Sequence, residues 1–424
     1  MSDSASDASA RTPVDASEAV SGVQIGVVLI GVSITLPLLY SAGEIARAIG
    51  LRSAVIATLI AAFVLSLMSI PAAIVGVRTR LSSYMIIEHT FGYRGAKLIN
   101  LGFAVFLLGW YAVTAELFGR TLFLGARELT ALRAPEWLFT VGSSILVVAT
   151  TVYGFKAIDR LALVAVPFLL LALATTVGLS LDAVSLSSLG AIPGSGDLTV
   201  TTAVSAVIGA AIVGVVLTPD LTRYARNTSD CITASFIGQG AGMSIAYLAG
   251  MIPVLAWSEL EPMTYMVLMG FGGIALAVLV FATWTTNVIN LYSTALASCA
   301  SIPFGNYRNV VLVAGVLGTG AALVGISERL IDFLVVMGVL VPPVAGVYLA
   351  DFFILGRRDF SEAHLVARPP WRHSAIFAAV GTGAFSTWLY FAGWSVTTIG
   401  AVDSLFLSIA VYVVLDKLLS DRDG

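Results

Sequence analysis

Long apolar runs separated by short polar breaks extend through almost the whole chain. Reading the runs between the breaks predicts twelve helices, which we name span 1 to span 12 in chain order. They cover 23–48, 54–77, 98–119, 136–155, 160–181, 200–218, 230–257, 271–298, 309–326, 329–354, 374–393 and 397–418. A helix needs about 20 apolar residues to cross a bilayer. The pattern therefore predicts an all-α integral membrane protein with one transmembrane domain over residues 19–420.

Composition agrees with that class. Of the 424 residues, 58% are hydrophobic and 11% are charged, whereas about 25% are charged in a soluble globular protein. The net charge of -3 gives no electrostatic basis for binding nucleic acid. The two cysteines, Cys231 and Cys299, provide neither a disulfide framework nor the spacing of a metal-binding motif. We expect a monomer in the lipid bilayer, without a cofactor.

The polar segments give an orientation. Residues 1–18 are rich in Ser, Ala and Asp and lack a basic leader, so they are predicted to form a disordered tail rather than a signal peptide. With the N-terminus inside, 16 of the 22 Lys and Arg residues fall on the inner side. Cytoplasmic segments carry such an excess of positive charge. We therefore predict that both termini lie in the cytoplasm and that the protein resides in the cell's inner (plasma) membrane.

Spans 1 and 6 have sequences that are unfavourable for one continuous helix. In span 1, Gly31 and Pro37 bracket a Ser-Ile-Thr stretch, and proline removes a backbone donor and clashes with the preceding turn. Span 6 carries Gly209 and Gly214, with Pro219 at its end. These features predict an interruption near the middle of each span. The alternative is that the glycines only permit close helix packing.

The two predicted interruptions lie five spans apart. Such a pair is expected of inverted repeats whose unwound segments build a central transport site. The repeats would cover about 23–181 and 200–354, followed by two extra helices at 374–418. The arrangement predicts a transporter rather than an enzyme, and the three histidines form no zinc-protease motif. A channel is a weaker alternative, because the spans lack repeated polar rings that could line a pore.

Five short segments resemble the nucleobase:cation symporter-1 family, and bacterial cytosine permeases most closely. They are FGYRG at 91–95, GWY at 109–111, LTPDLTRY at 217–224, WTTN at 284–287 and VPPVAGV at 341–347, the last followed by Asp351. The resemblance covers nearly the whole chain after the tail. It implies a LeuT-type fold of five plus five helices with two more at the C-terminus. It also implies import of a nucleobase or a related planar ring, such as cytosine, a purine, a hydroxymethylpyrimidine or a hydantoin, by cation symport.

A candidate sodium site combines span 1 with span 8. Thr285 and Thr286 are adjacent hydroxyls in an apolar helix, and a hard cation prefers oxygen ligands. With the carbonyls of Gly31, Ile34 and Ala282 they would form a five-oxygen cage, and these positions match the family's sodium site. The alternative for a buried threonine is a hydrogen bond to the carbonyl one turn back. Proton coupling through Glu116 in span 3 is the alternative to sodium.

Trp110 in span 3 is the principal candidate for substrate binding. Its indole face could stack on a planar heterocycle, and it matches the family's stacking tryptophan, although a packing role is the ordinary alternative. Thr114 follows it by one turn. In span 8, Asn287, Thr283 and Asn290 could pair with the polar edge of a ring, or could join helices.

Span 6 is expected to complete the substrate site through its backbone. The predicted interruption would free polar groups at Gly209, Ala210 and Ala211. Cytosine permeases have an aromatic residue in this region, whereas 200–218 contains none. We therefore expect a pocket that is wider on this side than in those relatives.

Overall fold

The computed structural model describes residues 13–130, 134–153, 156–302, 306–360, 365 and 368–420. Helices coincide with all of the predicted spans, and we keep the span names for them. They are Gly22–Ser33 with Leu36–Ile49 (span 1), Leu51–Thr79 (2), Tyr93–Thr130 (3), Glu136–Tyr153 (4), Lys156–Ala183 (5), Val200–Val216 (6), Thr228–Trp257 (7), Gly272–Ser301 (8), Tyr307–Leu323 (9), Ile326–Ile354 (10), His373–Phe391 (11) and Gly400–Ser420 (12). Short helices Ser83–Phe91, Leu186–Leu189, Pro219–Thr222 and Pro262–Leu268 lie between them.

Six of the described helices are long and apolar enough to cross a membrane, namely spans 2, 3, 7, 8, 10 and 11. The two halves of span 1 together make a seventh, bent by 71°. Spans 4, 6 and 9 and part of span 5 are shorter apolar helices. The architecture is therefore that of a multi-helix membrane protein, while the count of twelve crossings stays a prediction.

Helix partners recur with an offset of five spans. Both halves of span 1 pack along span 7, and span 6 packs along span 2. Span 3 packs along span 8, and the contact of spans 3 and 4 recurs between spans 8 and 9. Exchanging each span with the one five places away converts the contact of spans 1 and 7 into that of spans 6 and 2, and the contact of spans 3 and 4 into that of spans 8 and 9, while the contact of spans 3 and 8 maps onto itself. This internal correspondence is what two structural repeats produce.

Span 7 contains a π-helical segment, Phe236–Gly242, where it packs on the first half of span 1. A side chain added at Gly242 would lie 3.1 Å from Cγ1 of Ile30. The glycines of this segment therefore allow the two backbones to approach closely.

The chain before span 1 is attached to the rest of the protein. The Val14 N–H donates to the Arg80 carbonyl at 3.0 Å, and the Val20 N–H donates to the Tyr224 carbonyl at 2.8 Å. The Gly22 N–H donates to Asp230 Oδ1 at 2.8 Å. The predicted end of a disordered tail at residue 18 is therefore too late, because bonded structure begins by Val14. Residues 1–12 lie outside the described part of the chain.

A buried ionic cluster joins the ends of spans 10 and 12. Arg372 donates to Asp351 Oδ2 at 3.1 Å and to Asp416 Oδ1 at 3.3 Å. Arg357 bridges the same two carboxylates at 3.0 and 2.8 Å. The Tyr412 hydroxyl adds a bond to Asp351 Oδ1 at 2.6 Å. Because buried charges need such partners, the cluster fixes these helix ends to one another.

Candidate functional site

Span 1 is interrupted at Ile34 and Thr35, which have extended backbone angles of φ -97°, ψ 90° and φ -131°, ψ 153°. The last carbonyls of a helix have no partner within it. Here the donor that could have served the Ser33 carbonyl is also missing, because position 37 is a proline. The interruption lies between Gly31 and Pro37, where the sequence predicts it, and it leaves backbone oxygens for other partners.

Span 8 faces this interruption. Ile34 and Ala282 pack in one apolar cluster with Leu39 of span 1 and Ala246 of span 7. Two of the positions predicted for the sodium site, one from each helix, therefore belong to the same apolar cluster.

One of the two threonines of span 8 makes the hydrogen bond within its own helix that is the alternative to sodium binding. Thr285 Oγ1 is within bonding distance of two carbonyls of its own helix, Phe281 at 2.9 Å and Ala282 at 3.0 Å. Thr286 is half-buried on the neighbouring face. Donating its hydrogen within the helix leaves the lone pairs of the Thr285 hydroxyl as acceptors.

Trp110 is buried, with 9% of its surface exposed, and meets the ring of Phe333 from span 10. The ring centroids are 5.9 Å apart and the planes are inclined by 77°, an edge-on contact. A side chain added at Gly109 would lie 2.6 Å from that phenylalanine ring. Glycine at 109 therefore gives Phe333 its place beside the indole.

A chain of hydrogen bonds leads from Trp110 to span 8. Thr114 Oγ1 donates to the Trp110 carbonyl at 2.7 Å. Asn290 Nδ2 donates to Thr114 Oγ1 at 3.4 Å. Three predicted substrate residues are thus connected across the contact of spans 3 and 8.

Asn287 and Thr283 lie one turn apart on span 8 and are buried, with 0% and 1% of their surface exposed. Both amide atoms of Asn287 and the Thr283 hydroxyl have no hydrogen-bond partner among the described residues. A buried polar group without a partner costs about 1–3 kcal/mol. Such groups require an explanation, and a polar ligand or water that is bound part of the time is one.

Span 6 does not have the predicted form at its glycines. Val200–Val216 is one uninterrupted helix, and the break comes at Leu217 and Thr218 before Pro219–Thr222. The expectation of free backbone groups at Gly209, Ala210 and Ala211 is wrong, because those groups lie inside the helix. Gly209 instead permits close packing on span 10, where an added side chain would be 3.2 Å from the Gly338 nitrogen.

Ala210 and Ala211 are half-buried on span 6, which packs along span 10. A second aromatic ring beside Trp110 comes from Phe333 of span 10. Sequence reasoning missed it because the apolar run of span 10 does not indicate which residue faces span 3.

Glu116 is held by the start of span 10. Its Oε2 accepts from the Ser327 N–H at 2.7 Å, and its Oε1 accepts from the Ser327 hydroxyl at 2.5 Å. The carboxylate thus binds the first turn of the 3-10 segment Ile326–Arg329. Both oxygens have partners, which favours a structural role.

An ion-pair group lies one turn further along span 3. Arg120 contacts Glu136 at 3.2 Å and Glu261 at 3.1 Å. Burial raises the pKa of Glu261, and the positive charge of Arg120 opposes that effect. The group joins span 3 to the start of span 4 and to the connection between spans 7 and 8.

Three proteins of known activity or structure are similar to this chain. Cytosine permease from Escherichia coli (strain K12) is 24% identical over 336 residues, which are 78% of this chain and 77% of that protein. Hydantoin permease from Microbacterium maritypicum is 28% identical over 298 residues, 64% of this chain and 60% of that protein. The Na+-coupled sialic acid symporter, in a substrate-bound outward-open state, is similar in fold, with a TM-score of 0.65 at 14% identity over 94% of this chain and 90% of its own.

Stronger structural similarity is found with Mhp1, a nucleobase-cation-symport-1 family transporter. Its inward-facing conformation gives a TM-score of 0.84 at 19% identity, covering 97% of this chain and 94% of that one. Its closed conformation with bromovinylhydantoin bound gives 0.78, with 97% and 96% covered. A family model described as permease for cytosine/purines, uracil, thiamine, allantoin matches residues 19–414. The chain therefore belongs to this permease family, the nucleobase:cation symporter-1 family.

Proposed function

We propose that the protein imports a neutral, planar nucleobase-like or hydantoin-like ring by sodium symport with alternating access. The observation that carries the proposal is the buried, unpartnered amide of Asn287, one turn from the unpartnered hydroxyl of Thr283. Membership of a permease family makes transport the activity. The site residues narrow the cargo and the coupling ion.

The aromatic and polar groups of the site suit a flat ring with a hydrogen-bonding edge. Trp110 offers an indole face, and Phe333 lies edge-on beside it. An amide such as that of Asn287 both donates and accepts, so it complements a ring edge that carries a donor next to an acceptor. Glu116 is occupied by Ser327. Its carboxyl group is therefore not free to pair with a cationic cargo, which supports a neutral one.

Sodium is favoured over protons as the coupling ion. The interruption at Ile34 and Thr35 supplies backbone oxygens, and Ala282, Thr285 and Thr286 lie on the facing helix. Neutral oxygens bind sodium without a change of protonation, whereas proton coupling needs a titrating group. The bonds from Ser327 to both oxygens of Glu116 argue against that residue as the proton site.

The test is uptake into proteoliposomes that contain the purified full-length protein. Labelled cytosine, uracil, hypoxanthine, allantoin and hydantoin would be offered with and without an inward sodium gradient. We expect saturable uptake of at least one of them, accelerated by the sodium gradient and unaffected by a proton gradient. Uptake driven by protons alone would overturn the coupling.

The role of the Asn287 amide is tested by a substitution. Asn287→Ala is expected to weaken binding of that substrate by about 1–3 kcal/mol, since a ring edge loses its partner in a dry site. Asn309→Ala, at an exposed position in the first turn of span 9, is the matched control. Equal affinities for the wild type and Asn287→Ala would contradict the proposed recognition.

A further inference from the structure

A long apolar groove runs along the surface between spans 2, 10 and 12. Its volume is about 530 Å³. Side chains that line it include Val64 and Leu67 of span 2, Leu349 and Phe353 of span 10, and Val402 and Phe406 of span 12. Leu67, Phe353 and Phe406 are 47%, 37% and 62% exposed. The groove therefore opens on the outside of the helix bundle and is separate from the transport site.

The shape of the groove suits a lipid chain. The lining residues run from Ile399, just before span 12, to Ile409 within it, which is about 15 Å at 1.5 Å per residue. On span 10 the lining reaches Ile354, four residues before Arg358. Among the described residues that line it, Thr397 is the one polar residue, and it lies beside Ile399. A hydrocarbon chain lying along the helices would fill such a space.

Each of the three helices that form the groove carries an exposed basic residue at or just beyond its C-terminal end. These residues are Arg78 in the last turn of span 2, Arg358 just after span 10 and Lys417 in the last turn of span 12. The guanidinium of Arg358 lies over the ring of Phe352, 5.6 Å from its centroid. Arg358 is followed by the exposed Asp359, whose negative charge offsets that of Arg358. The positive charge of this surface therefore depends on the basic residues of all three helix ends.

The three ends lie on the same side of the molecule. Arg372 bonds to Asp351 in span 10 and to Asp416 in span 12, which fixes those two ends together. The Tyr348 hydroxyl of span 10 donates to the Val216 carbonyl at 3.0 Å. Gly76 of span 2 packs against Pro219, which lies three residues after Val216 in the chain. Spans 2 and 10 therefore both contact the segment from Val216 to Pro219 near their C-terminal ends.

We propose that the groove binds an acyl chain of an anionic phospholipid whose headgroup contacts Arg78, Arg358 and Lys417. Basic residues at the membrane surface attract anionic headgroups, and the arginine fork matches phosphate geometry. The apolar lining takes the chain and the basic helix ends take the phosphate. A neutral lipid would gain only the first of these interactions.

The headgroup is tested by native mass spectrometry of delipidated, full-length protein to which phosphatidylglycerol or phosphatidylcholine is added. We expect the wild type to retain phosphatidylglycerol in preference. Arg358→Gln should weaken phosphatidylglycerol binding about fivefold, from about 1 kcal/mol per basic residue, and leave phosphatidylcholine unchanged. Arg329→Gln removes an equally basic but distant residue whose side chain is 81% exposed, and should match the wild type. The proposal would be overturned if the wild type retained the two lipids equally. It would also be overturned if Arg358→Gln retained phosphatidylglycerol as well as the wild type does.

The chain site is tested by narrowing the groove. Val402→Trp places a large side chain among the lining residues and should reduce retention of both lipids. Val414→Trp changes the same residue type on the same helix, at a site that is 55% exposed and does not line the groove. The proposal fails if Val402→Trp retains phosphatidylglycerol as well as Val414→Trp does.

Discussion

Trp110 is the residue on which the proposed substrate contact depends most. Removing the indole in Trp110→Ala should nearly abolish binding, because the stacking face and its buried area are both lost. Trp110→Phe keeps a planar face and should weaken binding by about 1 kcal/mol, about fivefold. Substrate affinities of the purified variants in detergent would provide the comparison.

A tryptophan elsewhere provides the control for that comparison. Trp388 in span 11 is 63% exposed, so Trp388→Ala removes the same side chain without touching the site. It should bind substrate as the wild type does. If Trp110→Ala also does so, the stacked ring lies somewhere else.

The sodium site makes a prediction for Thr285 and Thr286. Changing both to Ala removes two of five proposed oxygen ligands and should raise the sodium concentration for half-maximal uptake at least tenfold, about 1.4 kcal/mol. The matched control is Thr121→Ala in span 3, whose hydroxyl also bonds one turn back within its helix, to Leu117 at 2.8 Å. A double variant with the sodium dependence of that control would exclude these threonines as ligands.

Single residues differ in how far their roles could be read from the sequence. Trp110 and Thr114 were predicted for one site, and the structure links them to Asn290 by hydrogen bonds. Phe333 was missed, because the residues from Phe333 to Val347 are apolar on every face of span 10, so the pattern does not mark the side that meets Trp110. The partner of Glu116, Ser327, is 211 residues away in the chain. No local pattern could identify it.

At the scale of elements, Asp220 connects two short helices at the end of span 6. Its Oδ1 accepts from the Ser83 N–H at 2.7 Å. Burial raises the pKa of Asp220, although the Ser83 bonds and Arg223 act in the opposite direction. A carboxyl whose pKa is raised by folding stabilises the fold fully below its unfolded pKa of about 3.9. That contribution is lost as pH rises through the folded value.

Asp220→Asn should therefore increase thermal stability at pH 7 and change it little near pH 4. The amide oxygen can still accept from Ser83, while the cost of a buried charge is removed. Melting temperatures of the detergent-solubilised protein at the two pH values would measure the effect. Asp332→Asn, at a 65% exposed site, is the control. A loss of stability at pH 7 specific to Asp220→Asn would show that the charged form is the stabilising one.

Spans 1 and 6 show why one element was predicted more accurately than the other. In span 1, Pro37 removes a donor that the helix would need, and the helix stops just before it. In span 6 the signal for a break near the middle was two glycines, each of which costs about 1 kcal/mol in a helix, and Pro219 lies only at the end of the span. Packing of Gly209 against span 10 outweighs that cost. A sequence pattern can locate the backbone donor that Pro37 removes, but it cannot show that Gly209 packs against span 10.

For the whole molecule, the charge distribution predicts which side faces the cytoplasm. In a background without Cys231 and Cys299, a cysteine at Ser188 should react with an impermeant maleimide in intact cells. A cysteine at Asp359 should react only after the membrane is opened. Both positions are exposed in the structure. The reverse pattern would invert the topology and place the basic ends of spans 2, 10 and 12 outside.

The contacts of the chain before span 1 have a consequence for biosynthesis. Gly22 is bonded to Asp230, 208 residues later, and Val20 is bonded to Tyr224. While the ribosome is still making the first repeat, these partners do not yet exist. Val20 and Gly22 therefore reach these partners only when the start of span 7 has been synthesised, which makes this part of the assembly a late, long-range step, whereas the bond from Val14 to Arg80 can form within the first repeat.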